Sequence, residues 1–128
     1  MPRTLPLLTA AVLVLALAAG CGSSAKKAST ETSSTSSAGL VGTVGPGFTI
    51  SLSNDGATVK TLKPGTCKIT VNDKSSIHDF HLIGPGVDQT TDVGSTGTVV
   101  WTVTLKKGSY TYRCDPHLTS MIGHFTVG

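Results

Sequence analysis

Residues 110–127 read YTYRCDPHLTSMIGHFTV, and this stretch decides most of what the sequence predicts about the fold. Tyr110, Tyr112 and Cys114 alternate with polar residues, as the inward face of a β-strand does. Met121, Phe125 and Val127 follow the same period of two further along the chain. The stretch therefore predicts two strands joined by a short loop, with both inward faces directed at one interior.

The sequence before this hairpin repeats the same kind of pattern. Short alternating segments are separated by Gly and Pro turns, and no segment shows the period of a helix. The predicted strands span residues 48–52, 58–62, 67–71, 77–83, 99–105, 110–114 and 123–127. Seven short strands within about 84 residues predict a β-sandwich.

The N-terminal segment has the features of an export signal. Arg3 precedes an apolar run over residues 7–19, which is too short to span a bilayer comfortably. The run ends in Leu-Ala-Ala-Gly before Cys21, which resembles the lipobox of bacterial lipoproteins. An ordinary exported protein, cleaved after a triplet of small residues, is the alternative. We expect residues 1–20 to be a lipoprotein signal peptide, with Cys21 as the lipidated first residue.

A Ser/Thr-rich tract separates this signal from the predicted domain. Ten of the seventeen residues from 22 to 38 are Ser or Thr, and every aromatic residue lies at Phe48 or later. We expect residues 21–44 to be a disordered tether, because they cannot bury enough apolar surface to fold. Residues 45–128 would then be the folded domain, and we expect it to act as a monomer.

Size and charge exclude several classes of protein. The predicted domain carries seven Lys and Arg against six Asp, which leaves a net charge of +1. A nucleic-acid-binding domain would show a basic stripe instead. The chain is also too short for a multi-domain enzyme, and its pattern is not that of a coiled coil.

The hairpin loop concentrates groups that bind metals. Cys114, His117 and Met121 lie within it, so a thiolate, an imidazole and a thioether come together. A second histidine must come from elsewhere, and residues 77–83 offer His78 and His81. On a strand, His78 shares a face with Phe80 and Leu82, whereas His81 points outward. We therefore select His78, and the same parity argues against a zinc site that uses both histidines.

One Cys, two His and one Met form the ligand set of a blue-copper electron-transfer site. Thiolate and thioether sulfurs favour Cu(I), and Met121 favours copper over zinc. A metal-bound Cys114 would not form a disulfide with Cys67. The structural alternatives are a buried Cys beside a turn His, and Met121 as core filler. We interpret Cys67 as a small buried apolar residue, Trp101 as a core residue and His124 as a surface residue.

From residue 45 to the C-terminus the sequence resembles the cupredoxins, in particular the single-domain plastocyanin-like and pseudoazurin-like proteins. The resemblance rests on Tyr112-x-Cys114-x-Pro116-His117, on the segment 121–127 and on the segment 78–86. It implies an all-β fold, a Greek-key β-sandwich of about seven to eight strands. It also implies one type 1 copper ion, held by His78, Cys114 and His117 as equatorial ligands and by Met121 as axial ligand. Asp79 stands where the family often has Asn.

These observations predict an electron carrier rather than an enzyme, because no open coordination position or acid–base pair is evident. We expect Cu(II)/Cu(I) cycling and exchange of electrons with redox proteins through a small apolar patch around His117, formed by Pro116, Leu118 and Ile122. The expected location is the extracytoplasmic face of a membrane, in the periplasm or at the cell surface. One alternative is a module that buffers or delivers Cu(I) without redox turnover. Another is a metal-free interaction module.

Overall fold

The computed structural model describes residues 39–128. The predicted signal peptide, Cys21 and residues 22–38 of the predicted tether lie outside these residues, and their assignments stay predictions. Within residues 39–128, no helix has the length and apolar character needed to cross a membrane.

Two five-stranded sheets make up the described part of the chain. In the first sheet the order is β3 (Ala57–Thr58), β2 (Ile50–Asn54), β1 (Leu40–Val44), β5 (Gly65–Asp73) and β8 (Gly97–Leu105). In the second sheet it is β4 (Thr61–Leu62), β10 (Ile122–Val127), β9 (Gly108–Arg113), β6 (His81–Gly84) and β7 (Val87–Thr90). The pairs β1–β5 and β4–β10 are parallel, and the other pairs are antiparallel. The prediction of an all-β sandwich is confirmed, and residues 39–128 hold ten strands rather than seven to eight.

The domain begins earlier than predicted. The tether was expected to reach Val44, yet Leu40–Val44 forms β1 in the middle of the first sheet, with Leu40 and Val44 buried. Part of the reason is Gly42, because a Cβ atom there would lie 2.7 Å from Cζ of Phe80. The glycine makes room for a buried aromatic ring that β1 covers, so this short segment gains a core contact that its sequence alone does not reveal.

The prediction of a single strand over residues 58–62 is wrong. The chain crosses from one sheet to the other there, and β3 pairs with β2 while β4 pairs with β10. Two backbone bonds mark the crossing: the Val59 N–H donates to Leu52 O, and the Thr126 N–H donates to Lys60 O. Val59 and Leu62 are both buried, which one straight strand could not achieve because they lie three residues apart.

Aromatic rings fill the space between the sheets. Tyr110 stacks on Phe125 with ring centroids 5.0 Å apart, and Phe80 stacks on Tyr112 at 5.9 Å. The inward face predicted for the hairpin is confirmed, since Cys114 and Met121 are buried with these rings. The core therefore continues without a break to the end of the sandwich where the sequence placed the metal ligands.

Candidate metal centre

The loop between β9 and β10 is held in shape by its own backbone. Cys114 donates its N–H to Met121 O at 2.9 Å, and Met121 donates its N–H to His117 O at 3.0 Å. Asp115–His117 forms a single 3-10 turn that contains Pro116, and the His117 N–H donates to Cys114 O at 3.1 Å. These bonds set the direction of three side chains at once. Cys114 and Met121 are fully buried, and His117 is half-buried.

His78 comes from the segment between β5 and β6, and buried polar contacts shape that segment. The Asp73 carboxylate accepts the Ser75 N–H at 3.2 Å and the Thr91 hydroxyl at 2.7 Å. Thr91 Oγ1 in turn accepts the Phe80 N–H at 2.9 Å. These bonds fix both ends of the short stretch that presents His78 to the interior. Sequence reasoning did not identify Asp73 or Thr91, because neither carries a metal-binding pattern.

The structure places His78, and not His81, beside Cys114 and His117, but the strand argument behind the selection of His78 holds only in part. β6 begins at His81, so residues 77–80 are not in a strand as predicted. A strand would place Asp79 on the face opposite His78, yet the side chains of both are buried. His78 nevertheless points inward with Phe80 and Leu82, and His81 lies on the outer side of the sheet with carboxylate partners.

Three donor atoms converge between the two segments. Nδ1 of His78 lies 3.0 Å from Nδ1 of His117, and the Cys114 Sγ lies 3.6 Å and 3.5 Å from these two nitrogens. His78 and Cys114 are completely buried. Among the described residues, these three side chains form a group that could hold a metal ion.

This triangle fits one small metal ion. Imidazole nitrogen and thiolate sulfur bind first-row metals at about 2.0–2.3 Å, so three such donors around one ion stand roughly 3.5 Å apart. A thiolate with two imidazoles, and a buried Met121 in the same loop, is the donor chemistry that selects copper. The remaining ring nitrogen of His78, Nε2, is buried and without a hydrogen-bond partner. The Nδ1 atoms of His78 and His117 both face Cys114 Sγ, and they are therefore the nitrogens that this pocket offers to a metal.

Comparison with solved structures gives the same fold. A methionine-to-glutamine variant of rusticyanin matches with a TM-score of 0.52 and 21% identity, over 70% of this chain and 76% of that one. The copper protein rusticyanin matches with a TM-score of 0.50 and 19% identity, over the same shares. Rusticyanin from Thiobacillus ferrooxidans gives 0.48 and 23%, over 70% and 75%. No protein-family model and no curated protein sequence matches the chain.

The chain has the cupredoxin fold. In this fold the predicted ligands His78, Cys114 and His117 meet at one end of the sandwich, at the ends of β9 and of the segment before β6. Met121 is buried and lies just before β10.

Burial raises the pKa of the thiol at the centre of the cluster. Desolvation raises the pKa of Cys114, and the nearby Asp79 carboxylate adds to the rise, whereas the backbone hydrogen bonds of Asp79 and His117 oppose it. Metal binding needs the thiolate, so a metal must displace the thiol proton when it enters. Copper affinity at this site is therefore expected to weaken as the pH falls.

Asp79 joins the two segments that carry the candidate ligands. Its Oδ1 accepts the backbone N–H of Asp115 at 2.7 Å, and its Oδ2 accepts the Thr90 hydroxyl at 3.3 Å. The side chain is 3% exposed. The sequence raised the question of whether Asp could replace the Asn common in cupredoxins here. A carboxylate makes the tie in this chain, and it places a negative group directly beside His78.

Phe48 is the site residue that sequence reasoning missed. Its ring packs edge-on against both imidazoles, with its centroid 5.1 Å from that of His78 and 4.9 Å from that of His117. The alternation over residues 48–52 predicted a strand from Phe48, but β2 starts at Ile50. Phe48 belongs to a tight turn in which Gly45, with φ of 73°, donates its N–H to Thr49 O. The Gly-Pro-Gly sequence before Phe48 was the available signal for this turn.

The interpretations of His124 and Trp101 are confirmed, whereas that of Cys67 as a small buried residue is not. His124 is exposed and pairs with the Thr111 hydroxyl at 3.0 Å. Trp101 packs partly buried against the core, with its ring 6.2 Å from that of Phe80. Cys67 also packs against the core, but it is only partly buried. Cys114 is a free thiol in the structure, as a metal ligand must be.

Proposed function

We propose that this protein is a type 1 (blue) copper protein that carries single electrons between redox proteins and is not an enzyme. The observation that carries the proposal is the convergence of His78 Nδ1, His117 Nδ1 and Cys114 Sγ in one triangle. Met121, which is buried at the end of the same loop, is the candidate for the weak fourth ligand of such a site. The cupredoxin fold supports the proposal, because rusticyanin, which shares it, is a copper protein.

A bound copper ion would supply one-electron chemistry by alternating between Cu(II) and Cu(I). The contribution of the chain is to hold the donors still. Backbone bonds fix the loop that carries Cys114 and His117, and the contacts of Asp73 and Thr91 fix the segment that carries His78. Burial excludes water from His78 and Cys114. Such a site keeps nearly the same donor arrangement in both oxidation states, which favours fast electron exchange.

Electrons would enter and leave beside His117, where apolar side chains reach solvent. Phe48 is 60% exposed, Leu118 47% and Ile122 45%, and Pro116 on the same loop is also exposed. The only charged residue on this loop, Asp115, is engaged by other side chains. A small patch with little charge suits transient docking of redox partners, which bury little surface.

Replacing Leu118 with Asp tests this docking surface. A carboxylate at the centre of the patch would have to be desolvated in each complex, so electron transfer to a redox protein should slow several-fold. The blue absorption should not change, because Leu118 is not a proposed ligand. Val100→Asp, at an exposed valine of β8, is the control and should leave the rate unchanged. Equal rates for the two variants would exclude docking at this patch.

The electron-carrier proposal itself is tested by voltammetry of the copper-loaded protein. We expect a reversible one-electron wave that disappears in His117→Ala, with His124→Ala as the matched control. A protein that binds Cu(I) tightly, gives no reversible wave and passes copper readily to a chelator would instead be a copper-buffering or delivery module. A protein that binds no copper would contradict both functions and leave a metal-free interaction module.

We also propose that the protein is exported and lipid-anchored through Cys21 on the extracytoplasmic side of a membrane. The support is the apolar run over residues 7–19 followed by Ala-Ala-Gly-Cys. Mass spectrometry of the membrane fraction should find the mature chain beginning at Cys21 with a diacylglyceryl thioether. Cys21→Ser should release the protein from the membrane. An unmodified Cys21, or one joined to Cys67 by a disulfide, would contradict lipid anchoring.

A further inference from the structure

A second cluster of ionisable side chains lies on the outer face of the second sheet, next to the ligand loop. His81 on β6 places Nε2 2.7 Å from Oδ1 of Asp88 and Nδ1 2.8 Å from Oδ2 of Asp115. Asp88 lies on β7, whereas Asp115 directly follows Cys114. The imidazole therefore bridges the β6–β7 hairpin and the loop that carries three of the proposed ligands. The His81 side chain is 14% exposed.

The geometry of His81 specifies its protonation state. A neutral imidazole carries one N–H, and its other nitrogen presents a lone pair. With a carboxylate oxygen within 2.8 Å of each nitrogen, the neutral ring would face one carboxylate with a lone pair. Only the imidazolium donates to both Asp88 and Asp115. His81 is therefore a cation with two anionic partners.

The electrostatics act in the same direction. Partial burial lowers the pKa of His81, but the hydrogen bonds and charges of Asp88 and Asp115 outweigh it, so the pKa is raised above the usual 6.5. The charged groups that face His81 are Asp88 from β7, Asp115 from the ligand loop and Arg113, its register partner on β9. Arg113 would oppose the charge on His81, but its guanidinium Nε donates to Asp115 at 2.8 Å.

Asp115 transmits this arrangement to the ligand loop. Nδ1 of His81 donates to Oδ2 of its carboxylate and Nε of Arg113 donates to Oδ1, each at 2.8 Å. While its carboxylate is held from the outside, its backbone N–H donates to Asp79 on the inside. The first residue after Cys114 is thereby fixed from two sides.

We propose that protonated His81 is a positioning residue that holds Asp115, and with it the start of the ligand loop, against the β6–β7 hairpin. The expected consequence for copper rests on the function proposed above. Because the pKa is raised in the folded protein, the stabilisation is complete below the usual His pKa and is lost as the pH rises through the folded-state value.

Nitrogen NMR of the full-length protein without metal tests the protonation state. Both ring nitrogens of His81 should be protonated below its titration midpoint, and that midpoint should lie above the usual histidine value of 6.5. Asp88→Asn should move the titration of His81 down, since it removes one of the two anionic partners. Titration of His81 at or below the usual histidine value of 6.5 would overturn the proposal.

Amide hydrogen exchange of the metal-free protein tests the positioning role. In His81→Gln, exchange of the Asp115 N–H should become several-fold faster at fixed pH, because the outer contact that holds the residue is weakened. The same measurement in His124→Gln should show no change. Asp115 exchange that is equal in the two variants, with both folded, would also overturn the proposal.

A third measurement tests whether His81 slows the release of copper from the site. Loss of copper to a chelator should be several-fold faster in His81→Gln than in His124→Gln, and the wild-type protein should approach the variant as the pH rises through the titration of His81. If the metal-free results hold and no variant binds copper, the proposed function fails while the role of His81 stands. If copper binds and its release is equal in both variants, the positioning role of His81 at the metal centre is overturned.

Discussion

The two ends of the described sequence contribute to the same site in different ways. The C-terminal hairpin over residues 108–127 supplies Cys114, His117 and Met121, and local backbone bonds join its strands and its loop. The N-terminal segment over residues 40–54 supplies Phe48, the ring that covers both imidazoles. That segment is held by long-range contacts, chiefly the parallel pairing of β1 with β5. One site is thus built from a local element and from an element that only the complete fold can position.

Removing the N-terminal element should have the largest effect. A chain that starts at Gly45 lacks β1, which lies between β2 and β5 in the first sheet and pairs with both. Burial of Leu40 and Val44 alone contributes about 3–6 kcal/mol, a large part of the roughly 5–15 kcal/mol that stabilises a small domain. We expect this chain to be unfolded by circular dichroism, whereas a chain starting at Gly39 should unfold cooperatively. A folded chain from Gly45 would show that β1 is dispensable.

Replacing Gly42 on β1 or Gly123 on β10 with Ala tests the packing of the same two elements by smaller changes. A Cβ at Gly123 on β10 would overlap the buried ring of Tyr112, and one at Gly42 on β1 would lie 2.7 Å from Phe80. We expect Gly123→Ala to lower the free energy of unfolding by about 3 kcal/mol and Gly42→Ala by about 2 kcal/mol. Gly47→Ala is the control, because open space surrounds that position. Urea unfolding that ranks Gly47→Ala with the other two would contradict this account of packing.

These contrasts explain how far sequence reasoning reached. Period-two alternation identified β5, β9 and β10 because each of these strands has one clearly buried face. It failed for β1, where the decisive contact is the ring of Phe80 against Gly42, thirty-eight residues away in sequence. It also failed to find Thr91, whose hydroxyl matters only because folding brings it to Asp73 and Phe80.

The candidate metal ligands and their neighbours also divide into residues that the sequence identifies and residues that only the fold reveals. Cys114 and His117 could be identified because they share one loop with Met121, and the chemistry of that set is distinctive. The burial of Asp79 beside His78 could not be predicted, since the backbone leaves strand geometry before β6. The exposed position of Phe48 in a turn was hidden by an alternation that continues into a genuine strand.

Asp79→Asn tests the tie between the two ligand segments. An amide oxygen can still accept the Asp115 N–H, but the negative charge beside His78 is removed. Cu(II) should lose stabilisation relative to Cu(I) on the order of 1 kcal/mol, so the reduction potential should rise. Asp55→Asn, at an exposed residue in the β2–β3 turn, is the control for a change in net charge. A potential that is unchanged in Asp79→Asn would show that this carboxylate does not act on the metal.

Phe48→Ala should have the smallest effect on stability and a clear effect on the site. Its edge-on contacts are worth about 0.5–1.5 kcal/mol each at most, and the ring is largely exposed. The free energy of unfolding should therefore change by about 1 kcal/mol or less. Copper release to a chelator should be several-fold faster, because water gains access to both imidazoles. Val100→Ala is the matched control, and equal release rates would remove Phe48 from the site.

The most direct test of the central claim is the absorption and EPR spectrum of the full-length protein loaded with Cu(II), measured beside Cys114→Ser. A type 1 site built on His78, Cys114 and His117 predicts an intense blue thiolate-to-copper band and narrow copper hyperfine splitting, both absent from the variant. His124→Ala should keep both features. A colourless Cu(II) protein, or a blue band that survives in Cys114→Ser, would contradict the assignment of this cluster as a blue-copper centre.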